Sequence, residues 1–259
     1  MIIKRSVQTY LLIGVSSLLS LMALSETALA NPTVDSVASA KERNTDGLSH
    51  GLPGRRLGGG TRSDLAFVNA DSSLVALTAP NPLSITTALQ PKLLFYVPEM
   101  TAAHTAEFVL FNQNNELIYE TSFEVDATGG VVNIDPAASM PPLALEENYQ
   151  WYFSIIPEAN DRAHDIVVYG SVRRVREADW LAGQQVDISS LGQLTPLMKA
   201  RVLYQQADLW LDAAMILDRL RRQYPNDAAI AAEWTSLLES AGLPLMLQPS
   251  QSEVASRSR

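Results

Sequence analysis

Three arginines in the run GLPGRRLGGGTR, namely Arg55, Arg56 and Arg62, form the segment whose residue types come closest to doing chemistry. Glycines leave backbone N–H groups unencumbered, and neighbouring guanidinium groups can grip a phosphate or a carboxylate through paired hydrogen bonds. The segment lacks a Gly-Lys-Ser/Thr ending, so it is not a nucleotide-binding P-loop. The competing expectation is structural: an arm that crosses a sheet edge or pairs with the chain's own acidic surface.

Other chemistry finds little support. His50, His104 and His164 are far apart and show no ligand spacing, which predicts isolated surface histidines. The chain has no cysteine, which removes thiolate catalysis, iron–sulfur clusters and cysteine zinc sites. No G-x-S-x-G elbow presents a serine nucleophile. Glu107, Glu116, Glu120, Glu124 and Asp126 fall at exposed strand positions and hairpin ends, as expected of a solvated face. A glycosidase-like pair would need two carboxylates converging across a cleft. Tyr149, Trp151 and Phe153 alternate on one face and read as core, whereas Tyr152 and Tyr169 fall on the opposite face, where an exposed aromatic strip would suit a glycan or a protein. No catalytic residue, metal ligand or cofactor emerges.

Of the 259 residues, 47% are hydrophobic and the formal net charge is −9. An acidic body repels phosphate backbones and anionic lipid heads, so neither nucleic acid nor a membrane surface is an expected partner. The amino terminus reads as an export signal over residues 1–30. Lys4 and Arg5 precede an apolar run from Tyr10 to Leu24, and Ala28-Leu29-Ala30 is a small-x-small site for cleavage after Ala30. That run is shorter than the roughly 20 residues a bilayer span needs, and no later segment is apolar enough. The expected location is the periplasm or the extracellular space, with no membrane span after leader removal.

These residues must be positioned by elements of two periods. Residues 31–63 are small, polar and then glycine-rich, and read as a flexible arm. Residues 64–178 carry strand signals. Ser122 to Asp126, Tyr149 to Ile155 and Asp165 to Val175 alternate with period two, punctuated by Asn112 to Asn115, Gly129-Gly130 and Pro141-Pro142. Short strands without intervening helical pattern predict an antiparallel β-sandwich. Leu143 to Ile156 resembles the late-strand pattern of immunoglobulin-like and fibronectin-like domains. Over residues 187–245 the period becomes helical. Thr195-Pro196 and Pro225-Asn226-Asp227 are helix starts, a further helix begins near Leu209, and Gly242 with Pro244 ends the last. The tail 246–259 reads as disordered. The expected fold is thus α+β, a sandwich followed by a three-helix unit.

Leu197, Ala200, Tyr204, Ala213, Leu217 and Pro225 match the spacing of a tetratricopeptide repeat, with Arg201 at a position usually held by a small residue. A single repeat cannot form the long groove of an array, so the helices are expected to pack on the β domain. Four segments in order resemble an exported, largely cyanobacterial family catalogued as domain of unknown function 928. They are Gly51 to Arg62, Pro91 to Phe123, Asn148 to Ile156 and Leu203 to Leu243. The resemblance implies a leader, a β-rich body and a helical end, and no particular activity. It also implies a cysteine pair in many relatives, where this chain has Ser63-Asp64-Leu65 and Ile156-Pro157-Glu158, so packing alone would hold those segments here. The expected function is a non-catalytic binding or scaffold module of the cell envelope. Its expected partner is another envelope or secreted protein, or a glycan. The alternatives are a carboxylate-based envelope hydrolase and an anion-binding protein that uses Arg55, Arg56 and Arg62.

Overall fold

The structure, a computed structural model, describes residues 55–58, 66–69, 71–81, 83–135 and 140–243. The leader with its cleavage after Ala30, most of the arm including Arg62, the Ser63 to Leu65 segment and the tail lie outside the described residues.

The chain is mixed α+β, with nine strands followed by five helices among the described residues. The strands are β1 (Leu57–Gly58), β2 (Leu74–Ala76), β3 (Leu83–Thr86), β4 (Leu93–Val97), β5 (His104–Asn112), β6 (Leu117–Val125), β7 (Gly130–Ile134), β8 (Asn148–Ile156) and β9 (Ile166–Arg174). The helices are α1 (Glu177–Gly183), α2 (Ile188–Leu191), α3 (Pro196–Gln205), α4 (Trp210–Gln223) and α5 (Ala228–Ser240). One sheet has the order β1-β2-β4-β7 and the other β3-β9-β8-β5-β6.

The pairing is antiparallel except at one edge, where β3 runs parallel to β9, with Leu83 opposite Ser171 and Thr86 opposite Arg174. The expectation of a wholly antiparallel arrangement fails there. A parallel pair needs a long connection, and most of the β region lies between these two strands.

Alternation explains which faces meet. Tyr149, Trp151, Phe153 and Ile155 of β8 point into the space between the sheets, with Ile166, Val168 and Val172 of β9 beside them. Phe95 of β4 enters from the other sheet, stacking on Phe153 at 4.1 Å between centroids and meeting Trp151 edge-on at 5.5 Å. The first sheet is covered on its other face too. Leu93, Phe95 and Val97 face the second sheet, while Leu94 and Tyr96 face the helices. A strand buried on both sides reads as an unbroken apolar run, and Leu93-Leu94-Phe95-Tyr96-Val97 is one. The result is three layers: sheet, sheet, helices.

The helices begin where their caps dictate. Thr195 accepts a hydrogen bond from the Met198 N–H ahead of Pro196, and Asp227 accepts from Ala229 and Ile230. Ala200, Leu203, Ala213, Leu217, Trp234 and Leu237 pack with Val75, Leu77 and Leu94 of the first sheet. The short α1 escaped the sequence reading because only Leu181 of its seven residues is buried, too few to show a period. No helix among the described residues is long and apolar enough to cross a membrane.

Candidate functional site

A groove of about 460 Å³ lies where the first sheet meets the helices. Leu94 of β4, Asn133 of β7 and Thr87 after β3 form one side; Lys199 and Leu203 of α3 and one face of α4 form the other. Asp212, Met215, Ile216, Arg219 and Arg222 of α4 all line it. Their spacing of three and four residues brings them to one helical stripe.

Four cations and four carboxylates meet in this groove, and most are already committed to each other. Lys92 pairs with Asp135 at 2.8 Å, and Arg222 pairs with Asp218 at 2.7 Å. Asp218 is almost fully buried and accepts from Arg221 as well. Lys199 reaches Glu177 only at 3.9 Å. Arg219 is exposed and makes no ion pair among the described residues. The Asn133 Oδ1 atom on the wall is shielded from solvent and has no hydrogen-bond partner among the described residues. The groove therefore offers two under-used cations and an unmet acceptor beside the apolar side chains of Leu94, Leu203, Met215 and Ile216.

Asp212 fastens the floor. Its Oδ1 accepts from the Thr86 hydroxyl at 2.5 Å, and its Oδ2 accepts from the Thr87 N–H at 2.9 Å and the Thr87 hydroxyl at 2.6 Å. Burial drives its pKa above the ordinary aspartate value, against the pull of those three hydrogen bonds. The raised value alone would suit a general acid. Both oxygens, however, are taken up by the chain itself, which suits a fastener between α4 and the end of β3 better than a proton donor.

The arginines of the arm are placed differently. The Arg56 guanidinium turns inward and donates to the carbonyls of Thr78 at 2.8 Å and Ala241 at 3.2 Å, tying the arm to the end of α5. Burial lowers its pKa. The Arg55 carbonyl accepts from the Tyr169 N–H at 3.0 Å while the Arg56 carbonyl accepts from Ala76, so the arm bridges the two sheets at this edge. The Arg55 Nε donates to the Leu57 carbonyl. Arg62 lies outside the described residues, and so does His50.

The other candidates also separate. Tyr152 and Tyr169 stack at 5.8 Å on the outer face of the second sheet, with Phe111 edge-on to Tyr152 at 6.0 Å. Each tyrosine is half-buried and gives one ring face to the other, which leaves little open platform for a sugar. Glu107 departs from the expected solvated face. It is buried and held by Arg162 at 2.8 Å, because the 157–165 loop folds back over the sheet. His104 opens β5, apart in the chain from His164, which sits in that loop. Sequence reasoning passed over Asp212 and Asp218, although a signal existed. Both interrupt the apolar stripe of WLDAAMILD, where a carboxylate needs a partner.

Residues 57–250, well over half of the chain, match the family described as Domain of Unknown Function (DUF928), and the chain belongs to that family. No curated protein matches it.

Proposed function

We propose that this protein is a non-catalytic binding module, exported to the periplasm or the extracellular space, and that it holds a carboxylate-bearing segment of another envelope protein in the groove between the first sheet and α3–α4. In this reading the two sheets form a fibronectin-like or immunoglobulin-like sandwich and α3–α5 a tetratricopeptide-like unit, as in an exported and largely cyanobacterial family. Export rests on the leader at residues 1–30, with cleavage after Ala30. The observation that carries the binding reading is the groove's unspent charge. Lys199 meets a carboxylate only at 3.9 Å and Arg219 makes no ion pair among the described residues, while Lys92 and Arg222 are closely paired. A protein ligand with acidic and apolar residues would satisfy both cations and cover Met215 and Ile216.

Lys199→Glu combined with Arg219→Glu tests this. Both side chains lie at the surface, so stability should change by no more than about 0.5 kcal/mol. Capture of the partner from envelope extract should fall at least about tenfold, since reversing two charges that face an acidic partner introduces repulsion. Undiminished capture by the double variant, with the same proteins recovered, contradicts the proposal.

A further inference from the structure

We propose that Glu158, Asp161 and His164, in the loop between β8 and β9, form a binding site for a divalent transition-metal ion, with zinc as the best fit. The site shares no residue with the groove and does not rest on that reading.

The three residues are spaced three apart. The Asp161 N–H donates to the Glu158 carbonyl at 3.1 Å and the His164 N–H donates to the Asp161 carbonyl at 3.3 Å. These two turns meet at Asp161, whose backbone is non-helical, and together they bring residues i, i+3 and i+6 close to one another. One ligand atom from each side chain lies within 4.8 Å of the others. His164 Nδ1 is 3.4 Å from Asp161 Oδ2 and 3.9 Å from Glu158 Oε2. A tetrahedral zinc with bonds of about 2.0–2.2 Å sets its ligands roughly 3.3–3.5 Å apart. The first distance already fits, and the exposed Glu158 side chain has to close in from 3.9 Å to His164 to complete the set.

The chemistry of the donors points the same way. His164 Nδ1 is shielded from solvent, makes no hydrogen bond among the described residues and faces the two carboxylates. A hydrogen bond within the loop spends only the other oxygen of Asp161: Oδ1 accepts from the Ala163 N–H at 3.0 Å, which leaves Oδ2 for an ion. One imidazole nitrogen with two carboxylates selects a borderline ion such as zinc over magnesium or calcium, which take oxygen ligands. The neighbouring cation does not oppose it. Arg162 points away from the cluster and gives its charge to Asp165 at 2.6 Å and Glu107 at 2.8 Å. That double clamp anchors the loop to β5, so the ligands are held by the sheet. Glu158 and Asp161 are exposed, which leaves the remaining coordination positions to water or to a group from another molecule.

Calorimetric titration of the purified chain with zinc chloride, near neutral pH in a non-chelating buffer, tests the site. The expected result is one zinc per chain, weakened at least about tenfold in His164→Gln and weakened also in Glu158→Gln and Asp161→Asn, with His104→Gln unchanged. Asn at position 161 retains an acceptor for the Ala163 N–H, and circular dichroism confirms that each variant is folded. Absence of saturable zinc binding by the wild type overturns the proposal. So does unchanged binding by His164→Gln, or an equal loss in His104→Gln.

Discussion

Replacing Asp212 with alanine should destabilise the chain by about 3 kcal/mol, the range expected when a buried acceptor of several hydrogen bonds is removed. Asp212 takes the Thr86 hydroxyl, the Thr87 hydroxyl and the Thr87 N–H, and the Thr86 side is fully buried. Alanine leaves those donors without a partner and opens a void between α4 and β3. It also removes a negative charge from the first turn of α4, where the helix N-terminus favours one. Asparagine preserves the shape and one acceptor, so Asp212→Asn should cost about 1 kcal/mol. Chemical denaturation of the three proteins separates these outcomes. A loss below about 0.5 kcal/mol for alanine, the size of an ordinary surface substitution, would show that Asp212 fastens nothing.

The same residue sets a pH dependence of definite sign. Burial raises the Asp212 pKa in the folded chain above its unfolded value. Between those two values the folded state binds the proton and the unfolded state does not, so stability rises as pH falls through that window and is lost as pH climbs through the folded value. Glu233 works in the opposite direction. Arg201 and the Tyr204 hydroxyl hold its pKa below the ordinary glutamate value. Comparing wild type with Asp212→Asn cancels the Glu233 contribution. The advantage of wild type over Asp212→Asn should be largest in acid and should shrink as pH climbs through the folded pKa of Asp212.

The second large effect is expected at Gly170. A Cβ there would lie 2.5 Å from Cζ2 and 3.0 Å from Cε2 of Trp151, which sits opposite on β8. The ring has little room to retreat, being 1% exposed and wedged edge-on against Phe95. Gly170→Ala should therefore cost about 2 kcal/mol by overpacking. Trp151→Phe gives up no hydrogen bond, because Trp151 Nε1 has no partner among the described residues. The smaller ring should then relieve part of the strain, so the Gly170→Ala/Trp151→Phe double variant should be less destabilised than the two single changes added together, by about 1 kcal/mol. Strict additivity would mean that the ring and the glycine are not in contact.

Gly170 also shows how the sequence could and could not be read. Strand alternation placed Tyr149, Trp151, Phe153 and Ile155 on one face, and the helix starts at Pro196 and Ala228 follow from Thr195 and Asp227. Such features depend on neighbours within a few residues. The parallel β3–β9 edge does not. It depends on where Leu83 to Thr86 land after the chain leaves the first sheet, and no local pattern encodes that. Leu93 to Val97 carried a legible signal, since an unbroken apolar run implies cover on both faces, but the covering layer could be either sheet or helix. The groove draws on β4, β7, α1, α3 and α4 at once, so beyond the α4 stripe its residues share no spacing. Glu158, Asp161 and His164 do share one, but the spacing acquires meaning only when the loop is known to turn every three residues.

The groove itself is best examined by photo-crosslinking in the cell envelope. A photoreactive side chain at Met215, on the groove-facing side of α4, is compared with one at Leu117, exposed on the edge strand β6 of the second sheet. Adducts should form from position 215 and not from position 117, and mass spectrometry should place the attached peptide in an acidic stretch of another exported protein. Adducts from position 117 alone, or none from position 215, would contradict the assignment of the groove as the binding surface.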